Sequence, residues 1–97
     1  MRISFTKRAQ NNYSTIKNYL KVDWGETSTE AFEQKTIDFL DLLKEFPEMG
    51  SIELPEKQIR GFQLTKQTRI LYRIKKHNII VLAFFDVRQN PKKKFNI

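Results

Sequence analysis

Cysteine is absent from the 97 residues, histidine occurs once, and glycine and proline occur three times each. The lack of cysteine excludes disulfides, thiol nucleophiles and thiolate zinc sites together. One histidine, His77, cannot build a multi-histidine metal site. The longest apolar run, Ile79 to Phe85, is too short to cross a bilayer. No apolar stretch follows the Met1-Arg2 start, so no secretory signal is expected. A soluble cytoplasmic protein without membrane association is the expectation. There is no glycine-rich phosphate loop and no nucleophile elbow, so neither a cofactor nor a metal is expected.

What is present suffices for one core. Hydrophobic residues make up 39%, and eight of the twelve aromatic residues are phenylalanine. At this length a single domain spanning 1–97 is expected, with a basic tail from about residue 88. The net charge of +7 is unevenly spread. Residues 1–56 carry seven Lys/Arg against ten Asp/Glu, a balance of −3. Residues 57–97 carry eleven against one, Asp86, a balance of +10. A segregated basic half suits an anionic partner such as RNA, DNA or an acidic protein; it also suits a solvated lysine-rich surface.

Hydrophobic periodicity divides the chain into helices, then strands. Ile3 to Phe5 reads as a short strand, and Thr6 offers an N-cap. Ala9, Tyr13, Ile16 and Leu20 then step at the helical period. Asp23 to Thr27 breaks the pattern around Gly25, and Thr27 with Glu30 has capping-box spacing for a second helix. That helix carries Phe32, Phe39, Leu43 and Phe46 on one stripe and ends at Pro47. Ile59–Leu64, Arg69–Lys75 and Ile79–Phe85 read as a three-stranded antiparallel meander, joined by 65–67 and 76–78. The last strand is apolar on both faces and is expected to be central. The fold class is therefore α+β, in the order β-α-α-β-β-β, with a helical hairpin packed on an antiparallel sheet.

Candidate chemistry rests on cations. His77 reads as a solvated turn residue, and the acids Glu30, Glu33, Asp38, Asp41 and Glu45 as a polar helix face. Trp24 either pins the interhelical link to the core edge or stacks a base. Arg69 and Arg73 share a strand face with Lys75. Arg60 is expected on the neighbouring strand and Arg88 just past the last one. Convergence of these arginines on one sheet face would make an anion site, because guanidinium forks match phosphate geometry. Lysines 92, 93 and 94 (Lys92, Lys93 and Lys94) extend the basic set along the tail.

The order of elements and several segments resemble the RelE/ParE superfamily of toxins from bacterial type II toxin–antitoxin modules. The resemblance runs from about Ile3 to Pro91. It is carried by the helical hairpin closed by Phe46-Pro47-Glu48-Met49-Gly50, by the strand Thr68-Arg69-Ile70-Leu71-Tyr72-Arg73-Ile74, and by Ile79 to Phe85 followed by Asp86-Val87-Arg88-Gln89-Asn90-Pro91. It implies a growth-inhibiting toxin of a plasmid-stabilisation type system, neutralised by a cognate antitoxin. RelE-like members cut mRNA in the ribosome, whereas ParE-like members bind DNA gyrase.

In the nuclease branch Arg69 and Arg88 would be catalytic, clamping the scissile phosphate with support from Arg60. That reaction also needs a base and an acid. RelE-like enzymes usually keep a Tyr or His after the last strand. Here that segment holds Phe95 and Lys92–Lys94, with neither. Asp86 and Glu56 are the acids that remain as bases. The missing groups favour the ParE-like reading over the mRNA interferase. A member kept only as an interaction domain is the third possibility.

Overall fold

A computed structural model describes residues 1–88. The elements run β1 (Arg2–Phe5), α1 (Lys7–Trp24), α2 (Glu26–Glu45), β2 (Ser51–Leu54), a 3-10 turn (Pro55–Lys57), β3 (Ile59–Gln63), β4 (Thr68–Lys75) and β5 (Asn78–Asp86). The strands form one sheet in the order β1-β5-β4-β3-β2. The β2 to β5 stretch is an antiparallel meander, and β1 adds to β5 in parallel. The α+β class and the helical hairpin are as expected, and β5 is an internal strand. The strand β2 and the parallel pairing of β1 are additions. No helix among the described residues is long and apolar enough to cross a membrane.

The helical hairpin turns on one residue. α1 continues through Trp24, so the expected break over 23–27 shrinks to Gly25, at φ +91° and ψ −179°. Only glycine occupies that region readily. The Gly25 N–H reaches back to the Leu20 and Lys21 carbonyls, closing α1. Its carbonyl accepts from the Thr29 N–H at 3.3 Å and the Thr29 hydroxyl at 3.0 Å, opening α2. The Thr27–Glu30 capping box therefore does not form: Gly25 is the N-cap, without a side-chain bond, and Thr27 lies inside the helix. Trp24 is 66% exposed, so it does not pin the link to the core. α2 ends at Glu45, just before Pro47, as the missing proline donor requires.

One face of the sheet buries the helices. Ala9, Phe32, Phe39 and Leu43 meet Ile70, Tyr72, Ile79, Val81 and Phe84. Phe39 stacks on Phe62 with ring centroids 4.5 Å apart, and Tyr13 packs between Phe32 and Phe84. β1 pairs only as far as Val81, so the rest of that edge of β5 faces α1. Two α1-side groups take over there. The Thr6 hydroxyl donates to the Leu82 carbonyl at 3.0 Å while capping the Ala9 N–H at 3.0 Å. Asn12 Oδ1 accepts from the Phe84 N–H at 3.2 Å. Leu82 is the extra residue of a bulge between the Leu71–Ala83 and Tyr72–Val81 pairs, so its carbonyl has need of such a partner.

Tyr72 fixes the chain between α2 and β2 to the sheet. Its side chain is fully buried. Its hydroxyl donates to the Pro47 carbonyl at 2.8 Å and accepts from the Gly50 N–H at 2.9 Å. A Cβ on Gly50 would lie 2.7 Å from that hydroxyl, which is why glycine stands there. Burial raises the Tyr72 phenol above the ordinary tyrosine value, against the opposing pull of the Gly50 N–H. Tyr72→Phe leaves both backbone groups unpaired and should cost about 1–3 kcal/mol in urea denaturation. The folded pKa is raised, so the wild type should hold this contribution below about pH 10 and lose it as pH rises above that value. The wild-type advantage over Tyr72→Phe should shrink accordingly in strong base.

Candidate functional site

Strand register decides which cations share a face. Paired residues in neighbouring strands project to the same side. Ile70, Tyr72 and Ile74 face the helices, so Arg69, Leu71, Arg73 and Lys75 face the open side, as the alternation predicts. Arg60 pairs with Tyr72 and therefore lies on the helix side. There its Nη1 donates to the Gly50 carbonyl at 2.8 Å and the Glu48 carbonyl at 3.2 Å, bracing the loop that Tyr72 also holds. Arg88 follows Asp86, which pairs with Thr68 on the helix side. It lines a cavity with Ile16, Tyr19, Leu20 and Thr68, at the end of the helical hairpin.

The expected convergence of Arg60, Arg69, Arg73 and Arg88 on one face does not occur. Two lie on each side of the sheet. Even Arg69 and Arg73 are four residues apart on one strand, about 13 Å at strand rise. Between them Leu71 joins Ile59 and Ala83 in a small apolar cluster on the open face, flanked by Leu54 and Leu82. Lys92, Lys93 and Lys94 lie outside the described residues.

Arg69 is already occupied. Its Nε is ion-paired with Glu53, its Nη1 donates to Gln63 Oε1 at 3.2 Å, and its Nη2 reaches Ser51 Oγ at 3.4 Å. Both side chains of the ion pair are largely buried, 19% and 12% exposed. Glu53 sits at an irregularity in β2, between the Ile52–Arg60 and Leu54–Ile59 pairs. A bulge re-aims a side chain, and here the carboxylate comes to lie over Gly61. A Cβ at Gly61 would collide with Glu53 and crowd Arg69 Nε at 2.9 Å. The site thus includes Glu53 and Gly61, which periodicity alone does not reveal. The available signal was a glycine in an otherwise alternating strand, which marks a bulge or a close approach.

Arg88 is occupied as well, by the carboxylate two residues before it. Its Nε lies 2.9 Å from Asp86 Oδ1 and its Nη2 2.6 Å from Oδ2. The hydrogen bonds from Arg88 hold the Asp86 carboxyl below the ordinary aspartate range, and Asp86 in turn raises the guanidinium. A carboxylate stabilised in this way is a poorer base, so Asp86 is unsuited to activate a hydroxyl. Arg73 differs from both. It is half-buried, and its Nε is enclosed with no hydrogen-bond partner, a position that costs about 1–3 kcal/mol.

A model described as ParE toxin of type II toxin-antitoxin system, parDE, matches residues 3–91. The chain belongs to the ParE toxin family. Among solved structures, the chromosomal ParDE toxin–antitoxin system of P. aeruginosa is similar with a TM-score of 0.73 at 19% identity, over 89% of this chain and 95% of that one. The YoeB/ParE toxin from Agrobacterium tumefaciens follows at 0.64 and 14%, over 89% and 98%. A chain of the YoeB-YefM complex from Staphylococcus aureus gives 0.61 and 12%, over 88% and 94%. At these identities the likeness establishes the fold. No curated protein matches in sequence.

In this ParE-family toxin the Arg69–Glu53 pair should be energetically coupled. A double-mutant cycle with Arg69→Gln and Glu53→Gln should give a coupling of about 1–2 kcal/mol in urea denaturation. Additive losses would mean that the two side chains act independently.

Proposed function

We propose that this toxin arrests growth by binding DNA gyrase in the cytoplasm, as a protein-binding module without chemistry of its own, and that a cognate antitoxin neutralises it. The observation that carries this reading is the state of the two arginines a nuclease would use. A phosphate clamp needs free guanidinium donors aimed at one point. Arg69 and Arg88 lie on opposite sides of the sheet, and each is bound to a carboxylate. The ParE family match points the same way.

An antitoxin has an apolar surface to cover. Met1 and Phe5 of the β1 edge and Ile37 of α2 are exposed large hydrophobic residues, and they border one groove with Leu40. An amphipathic segment filling such a groove is a common mode of recognition. Of the similar solved structures, that of the ParDE system is of a toxin–antitoxin system, and that of YoeB-YefM is of a complex.

The test is plasmid supercoiling by purified gyrase with increasing amounts of the toxin. Loss of supercoiling near a stoichiometric ratio, reversed by the antitoxin, is expected. Full supercoiling under a large excess of toxin would contradict the reading. Cleavage of ribosome-bound mRNA in a parallel translation assay would transfer the assignment to the RelE-like, ribosome-dependent endoribonuclease branch.

A further inference from the structure

The open face of the sheet carries a second group of cations, at the end opposite the Arg69–Glu53 pair. Register places Arg2, Asn78 and Lys75 in one row across β1, β5 and β4. The next row on the same face is Ser4, Ile80 and Arg73. Arg2, Ser4, Lys75 and Asn78 are exposed, and Arg73 is half-buried. Strand spacing and rise put the Cα atoms of Arg2 and Lys75 about 10 Å apart and those of Lys75 and Arg73 about 7 Å apart. The cations Lys17, Lys21, Arg69 and Arg88 are in ion pairs, and none of these four lies at this corner. Lys76 follows Lys75 at the end of β4, and the acid Glu56 lines one groove with Lys57, Arg73 and Lys75.

We propose that this corner binds the phosphodiester backbone of a nucleic-acid duplex through Arg2, Arg73 and Lys75, with Asn78 and Ser4 as neutral hydrogen-bonding partners. Three observations select this ligand. The first is composition: arginine, lysine, serine and asparagine are the side chains that commonly hold phosphate oxygens. The second is what the two rows do not contain. They hold no aromatic, methionine or leucine, which usually anchor protein interfaces, and no ring on which an unpaired base could stack. The third is Arg73, whose enclosed Nε lacks an acceptor. A small rotation of its guanidinium onto a phosphate oxygen supplies one, in the fork geometry that suits phosphate.

Fluorescence anisotropy tests this with labelled 20-bp DNA and RNA duplexes of one mixed sequence and the full chain, at 50 to 200 mM KCl. Three neutralised phosphates predict a log–log salt slope of about −2.7, or about a fortyfold loss of affinity over that range. The Arg2→Gln/Arg73→Gln/Lys75→Gln variant, confirmed folded by circular dichroism, should bind at least about tenfold more weakly at 50 mM and lose most of the slope. The matched variant Lys21→Gln/Lys35→Gln/Lys44→Gln removes the same charge from the helices and should stay within about threefold of wild type. Stronger binding of one duplex would identify it as the source of the phosphates. No saturable binding of either, a flat salt dependence, or equal losses in both variants would overturn the proposal. A ten-residue glutamate peptide binding as tightly as the duplexes would overturn it in favour of an acidic protein segment. The assay contains no gyrase, so its outcome is independent of the proposed target.

Discussion

The ion pair between Arg69 and Glu53 sets the character of the open face of the sheet. It crosses from β4, the middle strand, to the edge strand β2, passing over Gly61 of β3. Three local features make it possible. The bulge in β2 turns the Glu53 side chain inward, the missing side chain at Gly61 leaves room beneath it, and the strand alternation aims Arg69 outward. Gln63 and Ser51 take the other guanidinium nitrogens. An arginine held by three partners on two strands, and screened from water on most sides, is not free to grip a substrate phosphate without losing them. Its presence therefore argues for an ordered sheet edge before it argues for catalysis.

The +10 balance of the C-terminal half looks different once its four arginines are placed. Arg60 is spent on loop carbonyls on the helix side, and Arg69 and Arg88 are neutralised by carboxylates. Arg73 and Lys75 are among the described cations outside these pairs, and Arg2 from the first strand lies beside them. The part of the charge proposed to bind phosphate is thus smaller than the total and lies at one corner. A residue from the acidic half contributes to it, because β1 pairs alongside β5.

Helix periods, the proline stop after α2, the alternation of β4 and the apolar β5 were all legible, because each depends on local spacing. So was the family resemblance, which rests on the order of those elements. Other features depend on long-range pairing, and the sequence does not display that. Arg60 lies on the helix side because the turn between β3 and β4 sets it opposite Tyr72; the alternation of β3 alone leaves its face undetermined. β2 is four residues long with mixed polarity, too short for a period to show. The Thr27–Glu30 spacing was a good local signal, overridden because Gly25 could end one helix and begin the next within a single residue. Glu53 acquires its role only when β2 and β4 are brought two strands apart.

These placements support a ParE-family toxin that acts by binding, with Arg69 serving the fold. Exchanging the charges separates that role from a catalytic one. The variant Glu53→Arg/Arg69→Glu preserves an ion pair over Gly61 while removing the guanidinium from position 69. The measurement is growth arrest on induction in bacteria, with circular dichroism confirming the fold. The account predicts that the exchanged variant arrests growth much as wild type does, while Arg69→Glu alone is destabilised. Loss of growth arrest in a folded exchanged variant would contradict it and return Arg69 to the role of a phosphate ligand.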